Sequence, residues 1–220
     1  MYGVRSRLLG ALLAFSPLAA AVAHAQPAGI EALQQNMRQI MSNPVLHASA
    51  VRAGQERALL CTVCHGKDGI STRDWIPNLA GQNPAFLLEQ MHAYAHKLRI
   101  DMNMNMLIES MSPEELINVA LFYASQPLQA RTNLERSEQP GDAARGKRVY
   151  DAMCLRCHGP DGRDEKGYAW LAGQKSTYLR QSLERYRNAD DGRIDPDMRQ
   201  IVGGLSDEEI ANLVNFLGTL

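Results

Sequence analysis

The sequence predicts an all-α protein built from two tandem copies of one helical domain. Three observations carry that prediction. The pattern Cys61-Thr62-Val63-Cys64-His65 returns as Cys154-Leu155-Arg156-Cys157-His158, and Leu79-Ala80-Gly81-Gln82 returns as Leu171-Ala172-Gly173-Gln174. Each half also closes on a serine-capped helix, at Ser112-Pro113-Glu114-Glu115 and at Ser206-Asp207-Glu208-Glu209. Such repetition means that one structural plan is used twice. Within each copy the apolar residues recur at helical spacing.

Residues 1–25 read as a cleaved secretory leader. Arg5 and Arg7 form its positive end, Leu8 to Val22 its apolar stretch, and Ala23-His24-Ala25 its small-residue cleavage site. The run is short for a membrane span and Pro17 interrupts it. Residues 26–53 form an N-terminal extension. In it Ile30, Leu33, Met37, Ile40 and Met41 predict a short amphipathic helix over 30–41, stopped by Asn43-Pro44. That helix either packs against the protein's own domains or serves as a docking element for a partner or a membrane surface. His47 falls in a polar connector.

The first domain is expected over 54–126. A helix from Gly54 runs into Cys61, and a loop through Trp75 and Pro77 leads to a helix over 84–97 with Phe86, Leu87, Met91 and Tyr94 on its apolar face. The methionine-rich segment Asp101-Met102-Asn103-Met104-Asn105-Met106 follows, and then the capped helix to Ser125. Ser112 can cap that helix, Pro113 suits its first position, and Glu115 can return a bond to the cap. Residues 127–144 are polar, lack periodicity and contain Pro140-Gly141, so they form the linker. The second domain, 145–220, repeats the plan.

The Cys-x-x-Cys-His motif points to covalent haem. Two thiols separated by two residues on a helical turn reach the two haem vinyl groups, and the adjoining histidine offers its imidazole to the iron from the same side. A zinc site would need four ligands gathered in one place. A redox dithiol needs no histidine and expects a strand-helix-strand setting that this sequence lacks. The motifs consume all 4 cysteines, leaving none for a disulfide framework. Export agrees with this, because covalent haem attachment in bacteria takes place outside the cytoplasm; the expected compartment is the periplasm. Each half has roughly 80 to 100 residues, a size at which a protein core alone is marginal and a large apolar cofactor adds burial. The net charge is −1, and loss of Arg5 and Arg7 leaves 21 basic against 24 acidic side chains, a net −3. That balance gives no electrostatic footprint for nucleic acid.

The internal repeat selects the second axial ligands. A soft thioether opposite histidine raises the potential of an electron-transfer haem. In the second half Met198 is the one methionine in the right stretch, since Met153 abuts Cys154. In the first half Met102, Met104, Met106 and Met111 compete, but Met104 alone shares Met198's spacing from the preceding Arg-Ile-Asp and from the following serine cap. The other methionines then pack around the haem edge.

With these residues in place the chain resembles the dihaem class I cytochromes c of the cytochrome c4 type. The resemblance covers about residues 54–220 and rests on both Cys-x-x-Cys-His motifs, the Leu-Ala-Gly-Gln stretches, the distal methionines and the capped final helices. It implies two class I cytochrome c domains, each wrapped around one covalent haem, joined across a pseudo-twofold interface. It also implies an exported carrier that feeds a terminal oxidase, or an electron-transfer subunit of a dehydrogenase. In the family a proline carbonyl commonly meets the haem-binding histidine; Pro77 fits, whereas its counterpart is Ala169. The helix before Cys61 is one residue shorter than that before Cys154, counted from Gly54 and Gly146. The helix over 30–41 is additional to the simplest members.

Arg99 and Arg193 occupy equivalent places and are candidates for pairing with haem propionates, the alternative being ordinary surface arginines. His92 and His96 have the spacing of a metal pair but no evident third ligand, so a solvated helix face is expected. Tyr94, Tyr186, Trp75 and Trp170 are candidates for lining the haem pockets or for ordinary core packing. The expected function is a periplasmic carrier of single electrons between a redox donor and acceptor. Its covalent haem sites are Cys61 with Cys64 and Cys154 with Cys157. Its axial pairs are His65 with Met104 and His158 with Met198, and no small-molecule substrate reaches the iron. An enzyme such as a dihaem peroxidase would need an open axial site and nearby acid-base residues, and a methionine is on hand for each haem.

Overall fold

The computed structural model describes residues 29–128, 141–163, 166–190 and 195–220. The expected leader, Arg193 and most of the expected linker lie outside them. Among the described residues the regular structure is eleven α-helices and one 3-10 turn, with no strand.

The first domain holds α1 (Ile30–Ser42), α2 (Pro44–Arg57), the 3-10 turn Ala58–Leu60, α3 (Thr62–His65), α4 (Pro84–Ala95), α5 (Met102–Glu109) and α6 (Pro113–Ser125). The second holds α7 (Ala143–Met153), α8 (Leu155–His158), α9 (Ser176–Asn188), α10 (Pro196–Val202) and α11 (Asp207–Leu217). Each domain has its own apolar core, one centred on Leu88, Ile117 and Leu121 and the other on Tyr150, Ile210 and Leu213.

Asn43-Pro44 does more than stop α1. The Asn43 side chain accepts from the backbone N–H of Val45 and Leu46, and Pro44 takes the first helical position of α2. The helix expected from Gly54 therefore starts at Pro44, and His47 is a half-buried residue within it rather than part of a connector. Helix α1 buries Leu33 and Met37 against the first core and packs on α2, α4 and α6. Most of its apolar face is thereby covered within the domain, as expected for packing against the protein's own residues, while Met41 stays exposed.

In each domain the helix leading into the cysteine motif crosses the final capped helix, α2 on α6 and α7 on α11. Glycine permits the contact. A Cβ at Gly54 would stand 2.0 Å from the carbonyl oxygen of Asn118, and one at Gly146 would stand 1.9 Å from that of Asn212. The residue missing from the first copy is made up by the 3-10 turn. Four α-helical steps and three 3-10 steps advance about as far as eight α-helical steps, roughly 12 Å. Both expected capping boxes form, Ser112 with Glu115 and Ser206 with Glu209. Helix α4 ends before the expected residue 97 because Lys97 turns to φ 56°, and Ala189 does the same after α9 at φ 59°.

Replacing Gly146 by Ala should destabilise the protein by about 3 kcal/mol, as an overpacked helix crossing. Gly204, around which a Cβ would meet nothing within 4 Å, should accept alanine within about 0.5 kcal/mol. Urea unfolding of the two haem-loaded variants measures the difference.

Candidate haem sites

The two motifs fold alike. The backbone N–H groups of Cys64 and His65 both return to the carbonyl of Cys61, and those of Cys157 and His158 to that of Cys154. Each histidine thus sits one turn beyond the first cysteine. Gly66 and Gly159 then leave the turn at φ 81° and 73°; a Cβ on Gly66 would also strike the carbonyl of Ile70 at 2.0 Å.

His65 and His158 are both 7% exposed. Nδ1 of His65 donates to the carbonyl of Pro77 at 2.9 Å, and Nδ1 of His158 donates to that of Ala169 at 2.9 Å. A carbonyl can only accept, so Nδ1 carries the proton and the lone pair that can bind a metal is on Nε2. The loss of proline at Ala169 leaves the bond length unchanged. Burial holds the His65 imidazole below its usual pKa, which keeps the neutral form that a ligand requires.

The cysteine surroundings disfavour thiolate chemistry. Burial pushes the Cys61 thiol up and the Cys154 thiol up to about 11. A redox dithiol depends on the opposite shift. An uncharged thioether, by contrast, is buried there without an ionic desolvation cost.

Of the methionines in α5, Met104 is half-buried and packs against the first core, whereas Met102 and Met106 are 83% and 66% exposed. The segment expected as a methionine-rich run is a helix whose cap is Asp101. The Asp101 carboxylate accepts from the N–H of Met104 at 3.0 Å, and Asp195 accepts from the N–H of Met198 at 2.8 Å. Met198 likewise is half-buried against the second core. Met104 and Met198 therefore occupy matching places at the start of matching helices. Met111 is also half-buried against the first core.

Arg99 is 9% exposed and is not a surface residue. Its guanidinium lies 4.6 Å from the Tyr94 ring centroid and donates to Gln90 Oε1 at 2.7 Å and to Tyr178 Oη at 3.3 Å. Among the described residues it forms no ion pair. A buried cation bonded to neutral acceptors suits an incoming carboxylate. Buried imidazoles protonated at Nδ1, two thiols on the same turn and this cation together fit a haem with its propionates. Trp75, by contrast, is 59% exposed and does not line a buried pocket. The rings of His92 and His96 lie 4.2 Å apart, and no cluster of three or more ligands surrounds them among the described residues.

Sequence reasoning matched the two Leu-Ala-Gly-Gln stretches but assigned no task to their glutamines. Gln82 Nε2 donates to the carbonyl of Trp170 at 2.9 Å while Gln82 Oε1 accepts from the Trp170 N–H at 2.7 Å. Gln174 does the same to Asn78, with both bonds at 2.9 Å. Asn78 and Trp170 immediately precede the two repeated stretches, so the interface is reciprocal in the manner of a twofold contact. A polar residue recurring at one register position in an otherwise apolar stretch is the signal that could have found it. Thr177 adds hydroxyl and backbone bonds to the Asp74 carboxylate.

The cytochrome c family model matches residues 143–220. The chain is 32% identical over 180 residues to cytochrome c4 of Pseudomonas aeruginosa, covering 77% of this chain and 88% of that protein. It is 25% identical over 144 residues to the thiosulfate dehydrogenase electron acceptor of Thiomonas intermedia, covering 62% of this chain and 66% of that one. The reduced recombinant cytochrome c4 from Pseudomonas stutzeri superposes with a TM-score of 0.64 and 25% identity, covering 76% of this chain and 96% of that structure.

Alkylation under denaturing, reducing conditions should label none of the four cysteines of the haem-loaded protein and all four when maturation is blocked. Mass spectrometry reads both results, and a pyridine haemochrome assay should return two haems per chain.

Proposed function

The chain belongs to the cytochrome c4 family of electron-transfer proteins with two covalent haem c groups, and from that premise we propose a periplasmic carrier of single electrons. In this reading His65 with Met104, and His158 with Met198, would be the two pairs of iron ligands. The carrying observation is the pair of Nδ1-to-carbonyl bonds, which set each buried histidine in the tautomer whose Nε2 carries the lone pair that iron needs. The matched placement of Met104 and Met198 supports the thioether side. Bound haem supplies reversible one-electron transfer; the protein supplies a fixed ligand set, an apolar surround and a charge partner. Each electron taken from a donor protein passes to an acceptor protein, with no group transferred.

The chain's own residues account for the rest. A methionine thioether paired with histidine would raise the potential, and a complete ligand pair would keep small molecules from the iron. Arg99 would hold a propionate of the first haem, and Arg193 is assigned the equivalent task in the second domain. The leader reading of residues 1–25 supports export to the compartment where haem attachment occurs. A second reading, acceptor for a dehydrogenase, draws on the similarity to the thiosulfate dehydrogenase electron acceptor.

Magnetic circular dichroism of the oxidised protein should show the methionine-to-iron charge-transfer band from both haems, and the reduced protein should ignore carbon monoxide. Met104→Ala and Met198→Ala should each abolish half of the band, lower one potential and admit the gas. Equal effects from Met102→Ala or Met106→Ala, or gas binding by the unmutated protein, would overturn the ligand assignment. Rapid reduction by thiosulfate plus a thiosulfate dehydrogenase would favour the second reading.

A further inference from the structure

The interface glutamines and the haem-binding histidines grip the same two peptide groups. The carbonyl of Pro77, which accepts from His65 Nδ1, and the N–H of Asn78, which donates to Gln174 Oε1, belong to one planar peptide unit. The carbonyl of Ala169, which accepts from His158 Nδ1, and the N–H of Trp170, which donates to Gln82 Oε1, form its twofold-related counterpart. Each relay therefore starts on the histidine of one domain and ends on the glutamine of the other.

We propose that Gln174 and Gln82 are cross-domain positioning residues, each tuning the reduction potential of the haem held by the opposite domain. A hydrogen bond at the N–H end of a peptide polarises its C=O and strengthens the bond accepted there, by roughly 10–30% per link. A stronger acceptor at Nδ1 makes the imidazole more basic at Nε2, which stabilises ferric iron and lowers the potential.

The geometry favours such transmission. Both glutamines are 6% exposed, so water does not screen the relay. Their amides cannot turn away. Gln82 Oε1 also accepts from the N–H of Asn83 at 2.8 Å, and Gln174 Oε1 from that of Lys175 at 2.9 Å. With each Nε2 donating to the opposite backbone, the orientation of both amides is decided by the network itself.

The inference rests on His65 and His158 being iron ligands. Its test uses the dihaem protein with the near-isosteric Gln174→Met and its counterpart Gln82→Met, so that one variant suffices if the other fails to mature. Potentials are assigned to individual haems by NMR during a redox titration, and the histidine Nδ1–H resonances are followed in the fully reduced state. Gln174→Met should raise the potential of the His65 haem and move the His65 Nδ1–H resonance upfield, leaving the His158 haem in place. Gln82→Met should do the reverse. A shift in the variant's own domain, equal shifts in both haems, or no shift would overturn the proposal. The unmutated protein serves as the control for ligation: absence of low-spin histidine-ligated iron there would fault the ligand assignment instead of the relay.

Discussion

A buried imidazole must place both of its nitrogens, and the bond from Nδ1 to a backbone carbonyl is the constraint on which the rest of each domain turns. Leaving that N–H unpaired at 7% exposure would cost about 1–3 kcal/mol. The pairing settles the tautomer and the ring orientation, and it ties the motif turn to a loop eleven or twelve residues further on. That loop then has a defined path. Its next residue, Asn78 or Trp170, is where the opposite domain takes hold. Histidine orientation and domain docking thus share one segment of backbone.

The two copies reach this arrangement by different local means. One approaches its first cysteine through a 3-10 turn and the other through an uninterrupted helix, yet both cross the final helix at a glycine pressed on an asparagine carbonyl. One uses a proline carbonyl and the other an alanine carbonyl, at equal distance. Proline pre-sets its own backbone angle, but a carbonyl held at both ends of its peptide does not depend on that. The interface supplies the restraint that the missing ring would have given.

Several departures from sequence expectation have a common origin in residues with two roles. Asn43-Pro44 is a stop signal for one helix and a start signal for the next, and reading only the stop misplaced His47. Met104 could be separated from its neighbours by spacing alone, and the alternation of exposed and half-buried methionines along α5 agrees with that separation. Arg99 left two alternatives open in the sequence, surface or propionate, because burial of a charge depends on what packs over it. In the folded protein the ring of Tyr94 and the hydroxyl of Tyr178 do so, the latter from the other domain.

The sequence by itself determined the double domain plan, the covalent haem chemistry and the helix caps. Each of these is written in residue types at short spacing, where local geometry leaves one reasonable arrangement. The pairing of Gln82 with Trp170 and of Gln174 with Asn78 was decided only by tertiary structure. Those partners are about ninety residues apart, and no local pattern can say which backbone a glutamine amide will meet. Docking brings two copies of one stretch face to face, and the residue that looked like part of a repeat becomes the contact that holds each domain to the other.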